Sequence, residues 1–464
     1  MRAANTTWNQ AMIERYDMAG PRYTSYPTAT AFQERFGQAE LDSAIARSNA
    51  SGRPLSLYFH IPFCDTICFY CGCNKIVTAN KRRARPYLEL LKRELSLRAW
   101  QFHTARPVQQ LHWGGGTPTF LSDAEIRELM HVTRECFSLL EDDSGDYAIE
   151  VHPGRLAPER LATLREVGFN RLSMGIQDFD PRVQKAVNRF NSVTEVRALC
   201  DEARRLGFHS LNMDLIYGLP HQSEATLAGT LQEVIALAPD RLSLFNYAHM
   251  PQLFKSQRQI PEEALPSPAE KLAMFHSAID TLLEAGYVHI GMDHFARPDD
   301  RLAQAQAEGY LHRNFQGYTT HGDCDLLAFG LSSISAIDNV YVQNHKDIVR
   351  YGHSLEQGQD PACRGVVLSA EDQLRRAVIN QLICHFELDF DTFNRSFGIE
   401  FERHFAAELA ALEPLMADGL LQREEQGLRV TDSGRLLIRR ICMTFDAYLA
   451  VPGATAQPRY SRII

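Results

Sequence analysis

The chain has 464 residues, 45% of them hydrophobic and 23% charged, which is ordinary for a folded globular protein and long enough for two or three domains. Its net charge of −9 argues against a bulk nucleic-acid binder. No run of about 18 apolar residues occurs, so no membrane span is expected, and the first twenty residues lack an apolar signal core. Ten cysteines, most of them isolated, fit a reducing cytoplasm.

Residues 1–54 read as an N-terminal arm. RYTSYPTATAF at 22–32 is too rich in Pro and Thr for a helix, and a helical pattern follows around 40–48. The arm either packs along the main domain or acts as a lid. From residue 55, apolar strand-like runs alternate with amphipathic stretches, the mark of βα units on a parallel sheet. Strands are predicted at 55–61, 109–113, 147–151, 171–176, 210–217, 241–246 and 288–292, and helices at 87–100, 123–137, 158–167, 193–206, 224–237 and 268–284. Gly168 and Gly286 read as helix C-caps. Six or seven units suit an α/β fold built as an open, partial (β/α) barrel over 55–365 better than a closed barrel of eight. Residues 298–365 look loop-rich and are expected to close the barrel irregularly. Residues 366–464 read as a small, mainly helical domain ending in helix, hairpin and helix, like a winged helix, but its balance of Arg and Asp/Glu does not suit DNA.

Four cysteines fall within ten positions: Cys64, Cys68, Cys71 and Cys73. Structural zinc normally takes two ligand pairs separated by a longer stretch. A 4Fe–4S cluster is often held by one closely spaced run of thiolates. If Cys64, Cys68 and Cys71 bind, one iron keeps an open site; Cys73 could be a fourth ligand, a spare thiol or a residue facing the chemistry. A disulfide staple lacks a second cysteine group to pair with. The predicted strands end near residues unusual for a core, among them His60, the glycines at 114–116, Glu150, Gln177, Asp214, Asn246, His249, Asp293 and His294. In βα barrels chemistry collects at that mouth. GGGTP at 114–118 would let backbone approach a ligand closely. For Glu150 and Asp214 the plain alternative is a buried salt bridge, and for Arg189 a solvated helix face.

The Cys triplet with Tyr70 before its third member resembles the radical S-adenosylmethionine (SAM) superfamily. PRYTSYPTA at 21–29, HIPFC at 60–64, CGCNKIV at 71–77, GMDHFARPDD at 291–300 and HRNFQGYTT at 312–320 together resemble the oxygen-independent coproporphyrinogen III oxidase family over nearly the whole chain. The resemblance implies one 4Fe–4S cluster on Cys64, Cys68 and Cys71, and two SAM molecules. Tyr58, Gly115, Glu150 and Ile334 would contact the SAM on the cluster. Tyr70, Gly116, Thr117, Gln177, Arg189, Asp214 and Ala248 would contact the second. Position 70 is Tyr where many relatives have Phe, a change that keeps the ring. The catalytic assignment falls on Cys73, Tyr58 and Glu150. The substrate would be coproporphyrinogen III, whose propionates need cations or N–H groups; His294, Arg297, His312, Arg313 and the basic run 81–85 are candidates, though a solvated face explains that run more simply. The implied reaction decarboxylates two propionates to vinyl groups with a 5′-deoxyadenosyl radical, needs a low-potential electron donor and an electron acceptor, and is expected of a cytoplasmic monomer. The rivals are a haem chaperone of the same superfamily, whose relatives lack the Cys73 element and the 21–29 arm, and a winged-helix regulator with a redox-sensing cluster.

Overall fold

The computed structural model describes residues 6–34, 36–449 and 462. The chain forms two compact units, one of residues 32–281 and 323–367, the other of 1–31, 282–322 and 368–464. They therefore do not follow three consecutive segments divided at 54 and 365.

The larger unit is built on strands β1 (Leu55–Ile61), β2 (Pro107–Gly115), β3 (Asp146–Val151), β4 (Arg171–Gln177), β5 (Ser210–Tyr217), β6 (Arg241–Asn246), β7 (Asp325–Phe329), β8 (Ile334–Ile337), β9 (Val340–Asn344) and β10 (Ala362–Val367). Their order is β6-β5-β4-β3-β2-β1-β7-β8-β9-β10. Every pair from β6 to β7 is parallel, and the pairs from β7 to β10 are antiparallel. Helices Ala84–Gln101, Asp123–Cys136, Arg160–Glu166, Val193–Arg205, Glu224–Leu237 and Pro268–Glu284 follow β1 to β6 in turn. This is the expected run of six βα units in an open sheet. Ser122, Ser192 and Ser223 start three of these helices with capping boxes, each serine accepting from the amide three residues on. Gly168 and Gly286 stand at the expected helix ends with φ of +109° and +87°, a backbone that favours glycine.

Apolar and polar residues alternate along the strands with period two. On one face lie Phe59, Trp113, Ile149 and Phe329, all buried. The parallel register sets Phe59 opposite both Trp113 and Phe329. Their rings meet at centroid distances of 5.7 and 4.9 Å. Truncating such a Phe costs about 3–5 kcal/mol. On the other face Glu150 of β3, Ser173, Gly175 and Gln177 of β4, and Asn212 and Asp214 of β5 stay only half-buried. That face is the wall of the site.

Two expectations change. The strand predicted at 288–292 forms as Val288–Gly291, but it pairs antiparallel with His294–Ala296 inside the smaller unit. The link is two residues, Met292 and Asp293, which suffices for a hairpin, whereas a parallel crossover needs a dozen or more. The seventh parallel strand is β7, on the far side of β1. It lies in the stretch read as irregular, which holds β7, β8, β9 and most of β10. The smaller unit gathers one core from three chain segments, with Tyr23 and Tyr26, Ile290 and Leu311, and Ile379, Phe401 and Phe405 among its members. Arg439 donates to the Pro21 carbonyl at 2.9 Å and Tyr23 Oη to Asp446 at 2.9 Å. Residues of the 6–31 segment thus complete the C-terminal core. Its end is the expected helix, hairpin and helix: Ala406–Ala417, Leu421–Glu424 with Gly427–Val430, and Ile438–Met443. Among the described residues no helix is long and apolar enough to cross a membrane.

Candidate active site

β1 ends at Ile61 and runs into the cysteine loop. Phe63–Cys64 pairs parallel with Ile76–Val77, which closes the excursion. The loop is fixed from several sides. Gly116 and Thr117 donate from the end of β2 to the carbonyls of Ile61 and Phe63, both at 2.8 Å. Asn188 Nδ2 donates to the Ile67 carbonyl at 2.8 Å. Gln257 Nε2 donates to the Tyr70 carbonyl at 2.9 Å, and Ser256 Oγ to that of Cys71 at 3.1 Å. Lys75 Nζ reaches the Cys71 carbonyl at 2.9 Å. Backbone held this way presents its thiols without reordering.

One cavity is lined by Cys64, Cys68, Tyr70, Cys71 and Cys73 of the loop and by Gly115, Gly116, Thr117, Glu150, Gln177, Arg189 and Asp214. These residues come from six stretches of chain, and the sheet's inward face brings them together. Tyr58, Ala248 and Ile334 are not among these lining residues. Tyr58 stacks on His112 with centroids 5.8 Å apart, Ala248 offers its carbonyl to the same Gln257 amide that holds Tyr70, and Ile334 begins β8.

The glycines are required by space. A Cβ on Gly114 would come within 2.6 Å of the Glu150 carboxylate, and one on Gly116 within 2.7 Å of the Pro62 and Phe63 backbone. Gly115 also has φ +108°. Glu150 Oε1 pairs with His112 Nε2 at 2.9 Å, and the Gly115 amide donates to Oε2 at 3.2 Å. Burial opposes its charge, but the hydrogen bond and charge of His112 and the Gly115 amide prevail, holding its carboxyl below the ordinary value. Its side chain is still 42% exposed, so it stays open to a ligand. Asp214 accepts from Asn212 Nδ2 at 2.9 Å and Ser173 Oγ at 3.3 Å. Burial raises its pKa, and the nearby Glu150 charge adds to that. Neither carboxylate is in the salt bridge weighed as their plain alternative with Arg or Lys; Glu150 pairs with a histidine.

Arg189 is buried, at 8% exposure, rather than on a solvated face. It donates to Cys68 Sγ at 3.7 Å and to the Gly175 carbonyl, while its Nε has no hydrogen-bond partner among the described residues. Thr117 Oγ1 donates to Cys64 Sγ at 3.7 Å. Cys73, alone of the four cysteines, is exposed. Its hydrogen bond to Cys71 holds that thiol down to about 6 against the effect of burial. Among the described residues no three His, Cys, Asp or Glu side chains converge as the ligands of a single ion do. A polynuclear cluster makes no such demand, because each thiolate meets a different iron. Three thiols on a fixed loop, hydroxyl and guanidinium donors to sulfur, and a glycine strand end beside them suit a 4Fe–4S cluster on Cys64, Cys68 and Cys71.

Sequence reasoning passed over His112, His152, Arg155, Ser173 and Gly175, which pair with or join this wall. Period-two alternation could have found three of them, since His112 precedes Gly114, and Ser173 and Gly175 precede Gln177. Of the substrate candidates, His294, Arg297, His312 and Arg313 belong to the smaller unit. There Arg313 is buried with its guanidinium 4.6 Å from the Tyr318 ring. In the basic run, Lys81 pairs with Asp65 at 2.8 Å and Arg85 with Glu89 and Glu128, while Arg82 and Arg83 are exposed. That is a solvated face.

Residues 58–234 match the Radical SAM superfamily model, and 368–437 match the HemN C-terminal domain. The chain is 52% identical to an oxygen-independent coproporphyrinogen III oxidase of Pseudomonas aeruginosa, over 98% of this chain and 99% of that one. It is 50% identical to the Escherichia coli protein of the same name, over 98% of each. The solved structure described as "Coproporphyrinogen III oxidase (HemN) from Escherichia coli is a Radical SAM enzyme" superposes with a TM-score of 0.91 at 49% identity, covering 96% of this chain and all of that one. On this evidence the chain belongs to the oxygen-independent coproporphyrinogen III oxidase family of the radical SAM superfamily.

Proposed function

We propose that this chain converts coproporphyrinogen III to protoporphyrinogen IX without oxygen, by oxidative decarboxylation of two propionate side chains to vinyl groups. The observation that carries the reading is the single cavity in which the cysteine loop meets Gly115, Gly116, Glu150, Asp214 and Arg189. When bound, a 4Fe–4S cluster and SAM supply the 5′-deoxyadenosyl radical that takes a hydrogen atom from a propionate β-carbon. Each propionate radical would then lose only its carboxyl carbon, as carbon dioxide, and give up one electron to an acceptor, so that its two remaining carbons become the vinyl group.

The chain's own residues do the holding. Cys64, Cys68 and Cys71 are the cluster ligands. Gly115 and Gly116 let the backbone lie against SAM, and Glu150, ionised and open to the cavity, takes its ammonium or a ribose hydroxyl. Tyr58 and Ile334 flank that molecule. Thr117, Gln177, Asp214, Arg189 and Ala248, with the Tyr70 ring, are assigned to a second SAM. Cys73, exposed beside the ligands, is assigned to the substrate side, where its thiol can donate a hydrogen or proton. His294, Arg297, His312 and Arg313 remain candidates for the propionates. The reading includes a low-potential electron donor, a cytoplasmic location and a monomeric enzyme.

The test is an anaerobic assay with reconstituted enzyme, coproporphyrinogen III, SAM and a low-potential reductant. Vinyl product and 5′-deoxyadenosine are expected to appear together. Stable stoichiometric haem binding without turnover of coproporphyrinogen would instead mark a chaperone and reject the reading.

A further inference from the structure

Two residues that line this cavity each carry a buried polar atom without a hydrogen-bond partner among the described residues: Nδ1 of His152 and Nε of Arg189. The residues are 7% and 8% exposed. Leaving such a group unsatisfied is costly, so each calls for a partner that the described residues do not supply. Arg155 lines the cavity as well, is exposed, and makes no ion pair among the described residues.

The local backbone gathers the three. His152 lies two residues beyond Glu150, just past the end of β3 at Val151, and lines the same cavity. The turn Pro153–Arg155 follows at once. At Gly154 a Cβ would run into the Phe190 carbonyl, so the turn packs against the chain next to Arg189. Asn188, with φ +52°, ends the helix Pro181–Val187 and starts that chain. The polarity is divided: Glu150 and Asp214 supply negative charge, and Arg155 and Arg189 positive charge. Burial, reinforced by both guanidinium charges, holds His152 neutral, down to about 3. It is therefore a hydrogen-bonding ring and not a third cation.

We infer that His152 and Arg155, with Arg189, form a carboxylate-binding corner of the cavity. The carboxylate accepts from Arg155, from Arg189 Nε and from His152 with its proton on Nδ1, completing both unpartnered nitrogens. The proposed reaction enters only in the choice of ligands, since both the methionyl end of SAM and the propionates of the porphyrinogen carry the group.

The test uses anaerobically reconstituted enzyme titrated with S-adenosylhomocysteine and, separately, with coproporphyrin III. Arg155→Gln and His152→Phe are compared with His152→Asn, whose amide can place an N–H near the position of Nδ1. Arg155 is exposed, so its variant tests the corner even if a buried substitution disturbs the fold. Arg155→Gln and His152→Phe are each expected to weaken one probe by about tenfold or more, with cluster absorbance per protein unchanged and His152→Asn recovering most of the loss. A loss confined to the adenosyl probe assigns the corner to the amino-acid carboxylate, and one confined to the porphyrin assigns it to a propionate. Unchanged affinity for both probes in both variants overturns the corner. Failure of the unsubstituted enzyme to bind either probe overturns the proposed reaction instead, and the corner's ligands with it.

Discussion

Two glutamates of the larger unit stand in contrasting surroundings. Glu94, on the helix after β1, is fully buried. It accepts from Tyr351 Oη at 2.6 Å, Asn344 Nδ2 at 2.7 Å and the Gly330 amide at 2.7 Å, with Arg98 close by. Burial outweighs all four and pushes its carboxyl up to about 7. Glu150 has fewer donors, yet against the effect of burial it keeps a lowered pKa because His112 and the Gly115 amide face it, and its side chain is 42% exposed. The sealed carboxylate joins strand ends: Gly330 follows β7, and the neighbouring Tyr87 hydroxyl donates to the His60 carbonyl of β1 at 2.7 Å and accepts from the Leu331 amide at 3.0 Å. The open carboxylate has capacity left for a ligand. Access, more than the number of hydrogen bonds, separates a structural from a functional acid here.

This contrast can be broken or sharpened in order of expected effect. The largest change lies on the cavity side. Cys64→Ser, Cys68→Ser or Cys71→Ser should remove the cluster's visible absorbance and all SAM cleavage; full activity in any one of them rejects that ligand. Cys73→Ser should keep the absorbance and lose decarboxylation, whereas loss of iron would make Cys73 a ligand.

On the sealed side, Glu94→Ala should lower folding stability by about 3 kcal/mol or more, seen as a drop in apparent Tm, because it leaves three buried donors without their acceptor. Cluster absorbance per folded molecule should hold. The pH dependence has a definite sign. The folded value of about 7 lies above the ordinary 4.5, so the folded state holds the proton more tightly. The associated stability is fully present below 4.5 and is lost as pH rises through about 7. Tm of the unsubstituted protein relative to Glu94→Gln should therefore fall across that window and then level off. A flat difference would show that Glu94 ionises freely.

Glu150→Ala should weaken SAM binding about 10- to 100-fold, on the order of 1.5–3 kcal/mol, with Tm nearly unchanged. Unfolding of that variant would make Glu150 structural like Glu94 and erase the contrast. The smallest effect is expected at Arg82→Ala. It should shift stability by less than about 0.5 kcal/mol and leave the KM for coproporphyrinogen unchanged; a large KM increase would make the basic run a propionate site.

Much of the cavity is legible before folding. The four cysteines, Gly115, Gly116, Thr117, Glu150, Gln177 and Asp214 all lie in or follow strands whose periodicity is plain, and all of them line it. Arg189 is less legible, because an arginine beside a short helix looks solvated until the cysteine loop and Gly175 close around it. His152 is less legible because it lies just past the strand end at Val151, where strand alternation no longer applies. Glu94 looked like any helix charge. Only packing against β7 and the helix Ile348–Glu356, which carries Tyr351, seals it.

By itself, the sequence determined the local elements: six strands and six helices in order, each end within three residues of the observed one, and a cysteine loop placed after the first strand. Period, capping and turn residues are properties of neighbouring positions, so they survive without the rest of the chain. Tertiary structure decided which strands become neighbours. It set β7 beside β1, more than 260 residues away, turned Val288–Gly291 into one arm of a hairpin, and gathered Tyr23 and Tyr26 of the N-terminal segment into the C-terminal core. Such pairings depend on which apolar faces remain uncovered once everything else has packed, and no local pattern carries that information.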